Sequence, residues 1–159
     1  MVTHCEQIAL AALADYVVSK LQKNAAHASV DRNGRTPLHY AAAKSQFEEV
    51  VRLLACGSDA DAQDNNGWSP LHYAAQAVSP QCTEELLRAG ASTMLRDSYG
   101  NTALWRAVFS SNGEGSVIRL LLAAGADPNA MNAQNVSPAS LAATIANYDV
   151  AKFFTVAGV

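Results

Sequence analysis

Apolar residues at Phe47, Val50, Val51 and Leu54 follow the i, i+3, i+4, i+7 spacing of one helix face, and Gly57 stands where a left-handed residue would end such a helix. Ahead of them, Thr36 followed by Pro37 reads as an N-cap with proline at the first helical position, so a short helix is expected to run to about Lys44. Behind them, residues 58–67 carry Asp, Asn and Gly at turn positions and predict a hairpin-like finger. The same order then returns. Ser69-Pro70 opens a helix, Ser79-Pro80 opens another with Leu86 and Leu87 toward the core, and Gly90 ends it. The expected unit is helix, helix, finger.

The polar punctuation keeps a fixed interval. DRNGRTPLHYAAA from Asp31 returns as DNNGWSPLHYAAQ from Asp64 and as DSYGNTALWRAVF from Asp97, two steps of 33 residues, with Gly34, Gly67, Gly100 and Thr36, Ser69, Thr102 in the same register. A 33-residue period carrying TPLH and a double Ala resembles the ankyrin-repeat family. That resemblance covers nearly the whole chain. It implies an all-α solenoid of stacked helix-turn-helix units with hairpin-like fingers, as one domain over 1–159. The central repeats are 31–63, 64–96 and 97–131. Residues 1–30 align 33 positions back (Thr3 under Thr36, Val17 and Val18 under Val50 and Val51, Leu21 under Leu54) and are expected to be a degenerate N-terminal capping repeat. Residues 132–159, ending in Phe153, Phe154 and Val156, are expected to be the C-terminal cap.

Two repeats depart from the pattern. In the fourth, Ala103 and Trp105 replace Pro and His, and Asp97 to Asn132 spans 35 residues, so SSNGEGS from Ser110 to Ser116 is expected to be an exposed, low-stability insertion between two helices. In the last, Asn132, Asn135 and Ser140 stand for Asp, Gly and His, and Asn tolerates the left-handed turn that Gly would occupy.

Composition narrows the function. With 159 residues, 50% hydrophobic and 16% charged, the chain is expected to be globular, and a net charge of −3 without a run of like charge points away from nucleic acid and anionic lipid. Cys5, Cys56 and Cys82 form no CxxC pair and read as small buried residues in a reducing compartment, while the N-terminal stretch lacks a basic region and is broken by Asp15. A cytoplasmic protein that does not span a membrane, monomeric when free, is the expectation.

Chemistry finds little support. His39 and His72 sit at the TPLH position, where the family uses the imidazole for hydrogen bonds within and between fingers, and no HxxxH, HExxH or CxxC spacing offers a metal site. Asp31, Asp64 and Asp97 occupy the repeating turn and read as acceptors for finger N–H groups. No GxSxG, phosphate-cradling or dinucleotide pattern occurs, so neither catalysis nor a cofactor is expected.

Partner-binding candidates are positions that differ between repeats and that, by the resemblance, project from fingers and inner helices into a concave groove. They are Arg32, Asn33, Arg35 and Lys44 in the second repeat, and Asn65, Asn66, Trp68 and Gln76 in the third. The fourth contributes Arg96, Ser98, Tyr99, Asn101, Arg106 and Phe109. Trp68 and Tyr99 suit an interface, where energy concentrates in Trp, Tyr and Arg, although stacking on a neighbouring finger would explain them too. Tyr40 and Tyr73 read as packing residues. The cations fall on this side and the acids Glu48, Glu49, Glu84 and Glu85 on second helices, so an acidic partner surface is expected.

The resemblance therefore implies a non-catalytic protein-binding module. The C-terminal half further resembles small bacterial ankyrin chains of the immunity type, which would bind and inhibit a cognate toxin. The alternative is a regulatory or scaffolding subunit of an enzyme complex, and Asn129 lies in the kind of finger segment that hydroxylases modify.

Overall fold

Residues 30–145 and 148–155 are described by the computed structural model. The expected N-terminal capping repeat, except for Val30, and Val156 lie outside the described residues. Among the described residues there are eight helices and no strand: α1 (Pro37–Ala43), α2 (Phe47–Ala55), α3 (Pro70–Gln76), α4 (Pro80–Arg88), α5 (Ala103–Ser110), α6 (Ser116–Ala123), α7 (Pro138–Thr144) and α8 (Lys152–Thr155).

Local chemistry sets the helix ends. Thr36, Ser69, Thr102 and Ser137 are extended N-cap residues, and all but Thr102 are followed by proline at the first helical turn. At the other end, Gly57 (φ 85°) lets its own N–H reach the Leu54 carbonyl at 2.9 Å and the next N–H reach Leu53 at 3.1 Å. That closure satisfies carbonyls the helix leaves open.

Helices shorter than about 12 residues are marginal alone in water, so packing must hold them. Here α1, α3, α5 and α7 stack side by side as one layer, α2, α4 and α6 as a second, and the turn within each pair joins the layers. Leu38, Leu71 and Leu104 of the first layer meet Val50, Leu53, Cys82, Leu86, Val117, Ile118 and Leu121 of the second in one continuous core. Of the expected stripe Phe47, Val50, Val51 and Leu54 on α2, Val50 is buried, and the second fully buried residue is Leu53, not Val51 or Leu54. Leu53 is 1% exposed, whereas Leu54 and, on α4, Leu87 are only partly buried against the core and Phe47 is exposed.

The extra two residues of the fourth repeat lie where expected. The turns α1–α2 and α3–α4 take three residues each (44–46, 77–79), and α5–α6 takes five (111–115). The segment is not the wholly exposed loop expected. Ser111 is 2% exposed, with its hydroxyl donating to the Val108 carbonyl at 2.9 Å. A Cβ on Gly115 would stand 2.3 Å from the Phe153 ring, so the loop packs directly against the C-terminal residues.

Candidate partner-binding face

Each finger is built on one aspartate. Asp31 Oδ1 accepts from the N–H groups of Asn33 (2.8 Å) and Arg35 (2.9 Å), Asp64 from Asn66 and Trp68, and Asp97 from Tyr99 and Asn101, all at 2.9 Å. In the last finger the Asn132 amide oxygen takes that place, accepting from Gln134 and Val136. Fingers are tied in sequence, since the carbonyls of Asn33, Asn66 and Tyr99 accept from Asn65, Ser98 and Ala133 at 2.9 Å each. The tie leaves no room for a side chain at Gly34 (φ 75°), where a Cβ would lie 2.6 Å from Asn65 Oδ1.

The histidines complete this frame. His39 Nδ1 accepts from the Thr36 N–H at 2.9 Å, which requires that nitrogen to be unprotonated, and Nε2–H therefore donates to the Trp68 carbonyl at 2.9 Å in the next finger. His72 does the same with Ser69 and the Asn101 carbonyl. Burial holds both imidazoles below the usual range, which keeps them neutral.

The second oxygen of each aspartate was not anticipated from the sequence. Tyr40 donates to Asp31 Oδ2 at 2.5 Å, Tyr73 to Asp64 Oδ2 at 2.8 Å, and in the fourth repeat Arg106 donates to Asp97 Oδ2. The signal was present, because residues 40, 73 and 106 share the 33-residue register and each stands nine after its aspartate. Hydrogen bonding to the Asp31 carboxylate raises Tyr40, and burial followed by Asp64 pushes Tyr73 up to about 12. Burial alone would raise Asp97, but Arg106 and the finger N–H groups outweigh it and hold the carboxyl below its usual range.

These contacts relocate several expected binding residues. Arg106, expected to turn toward the groove, has its side chain only 14% exposed. Its guanidinium pairs with Asp97 and lies 4.2 Å from the Trp68 ring centroid. Trp68 is thereby covered from one side and meets Tyr73 at 4.9 Å, so the finger-stacking explanation is the one its surroundings fit. Asn101 is 4% exposed, with its amide between Asp97 and the Asn132 side chain, and offers no contact surface. Arg35 pairs with Asp31 at 3.5 Å, Asn65 donates to the Arg32 carbonyl, and Arg96 donates to the Met131 carbonyl.

What the frame leaves uncommitted is a smaller set. Arg32, Asn33, Lys44, Asn66, Gln76, Ser98, Tyr99 and Phe109 are exposed, Tyr99 at 59% and Phe109 at 62%. Among the described residues, Arg32 and Lys44 form no ion pair, while on the second helices Glu49 and Glu85 pair with Arg52 and Arg88. Phe109 stacks on Trp105 at 5.3 Å with nearly parallel rings. It also walls a cleft of about 300 Å³ that lies between α5, the inserted loop and the segment after α7, floored by Val108 and Leu141 and bounded by Ser111, Asn112, Ile145 and Tyr148. No sequence pattern marked this cleft.

No described helix is long and apolar enough to cross a membrane. No curated protein matches the chain. A family model described as ankyrin repeats (3 copies) matches residues 42–132, more than half of the sequence, and takes in the Asp64 and Asp97 fingers. The chain belongs to the ankyrin-repeat family, whose arrays are protein-interaction modules.

Proposed function

We propose that this module binds its partner on the face shared by the finger tips and the first helices, and that the bound surface is acidic. The observation that carries the reading is the division of side chains between frame and face. Positions used by the frame repeat (Asp31, Asp64, Asp97; His39, His72), whereas equivalent uncommitted positions differ, as Ala43, Gln76 and Phe109 do. The finger tips and first helices carry Arg32, Arg35, Lys44, Arg96 and Arg106 against Asp31, Asp64 and Asp97, with Asp59, Asp61 and Asp127 earlier in the fingers. The outer helices α2 and α4 carry Glu48, Glu49, Glu84 and Glu85 against Arg52 and Arg88. A basic face on an acidic chain steers an acidic partner and fixes its orientation.

The family gives the module no chemistry of its own, so its action is stoichiometric binding. The C-terminal half's resemblance to immunity-type chains favours a toxin held inactive in a one-to-one complex over a subunit of an enzyme assembly. Cys56 and Cys82 are unpaired, which suits a reducing compartment such as the cytoplasm. The test is titration of the purified chain into a toxin encoded beside it. Inhibition saturating at one equivalent and weakened by Arg32→Glu supports the reading, and a toxin unaffected by excess chain removes it.

A further inference from the structure

We infer that Asn112 is a site of spontaneous deamidation, a covalent modification of the α5–α6 turn from which the two finger asparagines in the same dipeptide are protected. The inference does not depend on the binding reading above.

Three Asn-Gly dipeptides occur in the chain, at 33–34, 66–67 and 112–113. Glycine makes the dipeptide reactive, because it has no Cβ to obstruct its nitrogen and its backbone turns freely. The Gly nitrogen attacks Cγ of the Asn side chain and forms a C–N bond. The side-chain amino group takes the proton of that nitrogen and leaves as ammonia, and a five-membered succinimide remains. Water then opens the ring at one of its two carbonyls and gives aspartate or isoaspartate. Water is the sole co-reactant.

Ring closure requires the peptide plane between Asn and Gly to rotate until its nitrogen faces the side chain. Asn33, Asn66 and Asn112 are all exposed, so access to water does not distinguish them. Hydrogen bonding does. In the first finger both polar groups of that peptide are held, since the Gly34 N–H donates to the Asp31 carbonyl at 3.0 Å and the Asn33 carbonyl accepts from the Asn65 N–H at 2.9 Å. The next finger repeats the arrangement, with Gly67 donating to the Asp64 carbonyl at 2.8 Å and Asn66 accepting from Ser98 at 2.9 Å. Between Asn112 and Gly113 neither group has a partner among the described residues, and the turn is closed one peptide later, by the Glu114 N–H on the Ser111 carbonyl at 2.7 Å. Asn112 also stands at φ 46°, so rotation out of the turn releases left-handed strain.

The products act on the fold differently. Aspartate adds a charge beside Glu114, where Arg119 already holds that carboxyl down. Isoaspartate routes the main chain through the former side-chain carbon and lengthens it by a methylene. The ends of the turn are fixed: Ser111 is buried with its hydroxyl on the Val108 carbonyl, and a Cβ on Gly115 would stand 2.3 Å from the Phe153 ring. The added methylene therefore loosens the packing of this turn.

The test follows the three asparagines by peptide mapping while the full chain is kept warm in mildly alkaline buffer, once folded and once in urea. In the folded chain Asn112 should deamidate at least about tenfold faster than Asn33 or Asn66, a ratio equal to about 1.4 kcal/mol and near the net worth of one hydrogen bond. In urea the three rates should converge. Equal rates in the folded chain would overturn the proposal, and an excess at Asn112 that persists in urea would overturn protection by the fingers as its cause. Ageing should also produce an acidic species on ion exchange, labelled by an isoaspartate-specific methyltransferase and absent from Asn112→Gly. Its persistence in that variant would place the reaction elsewhere and overturn the assignment. The aged chain should melt below the fresh chain, with no such drop for Asn112→Gly, and an unchanged melting temperature in the isoaspartate fraction would overturn the loosening.

Discussion

At the scale of single residues, the Asp97–Arg106 pair separates frame from surface most clearly. Removing one partner of a buried ion pair strands the other, at a cost of about 3–5 kcal/mol, and the Asp97 side chain is fully buried. Arg106→Ala should therefore lose stability in that range by urea denaturation. Arg106→Tyr should lose much less, because tyrosine fills the same position in the two preceding repeats and reaches the aspartate there. Equal losses would show that the aspartate needs no donor at this position. The imidazoles supply a pH test at the same scale. Both His39 and His72 are held below their unfolded value of about 6.5, so below that pH the unfolded chain binds more protons than the native one. Stability from this source should be flat above about pH 7 and fall as pH drops through 6.5 toward 5. Tyr73, raised to about 12, gives the opposite limb, with stability lost as pH rises from about 10 through 12. Unfolding midpoints in urea that do not change between pH 7 and 5 would contradict the neutral, buried imidazoles.

At the scale of elements, the turns between paired helices hold measurable strain. Ser45 and Val78 are non-glycine residues at φ 54° and 50°, a left-handed conformation that costs an L-residue about 1–2 kcal/mol. Ser45 is exposed, so Ser45→Gly should relieve that strain at only the roughly 0.5–1 kcal/mol entropic cost of glycine and raise the denaturation midpoint. Val78 packs against the core, and Val78→Gly should gain less or lose outright, since burial of valine is worth about 1.5–3 kcal/mol when complete. In the helices, Leu53→Ala and Leu86→Ala should cost about 2–5 kcal/mol, more than Leu54→Ala or Leu87→Ala. The reverse order would place the wrong face in the core. The off-by-one stripe shows what sequence can and cannot settle here. The period and the turn residues make α1 to α6 and the fingers between them readable, because each depends on neighbours in sequence. A run of Val50, Val51, Leu53 and Leu54 satisfies two helical faces equally, and the packing of α1 and α4 decides between them. The same limit explains the site. Asn101 and Trp68 vary between repeats and so read as groove residues, yet their partners Asn132 and Arg106 lie 31 and 38 residues away, and such pairings follow from the stacked repeats.

At the scale of the whole molecule, the array separates its charges by layer. Acids crowd α2 and α4, whereas the finger tips and first helices carry Arg32, Arg35, Lys44, Arg96 and Arg106, with Asp59, Asp61 and Asp127 earlier in the fingers. Arg35 and Arg106 are offset by Asp31 and Asp97, so the field that reaches a partner depends most on Arg32, Lys44 and Arg96. Exposed charges of this kind act on encounter more than on residence, and their influence fades beyond a screening length of about 8 Å at physiological salt. Arg32→Glu together with Lys44→Glu should slow association with an acidic partner and flatten its dependence on salt. Dissociation should change little, because neither side chain anchors the face. Phe109→Ala should do the opposite, leaving the association rate within about threefold and speeding dissociation, as loss of a buried anchor does. Stopped-flow association at two ionic strengths distinguishes the roles. If charge reversal alters only the dissociation rate, long-range steering by this face is excluded and the basic residues act as local contacts instead.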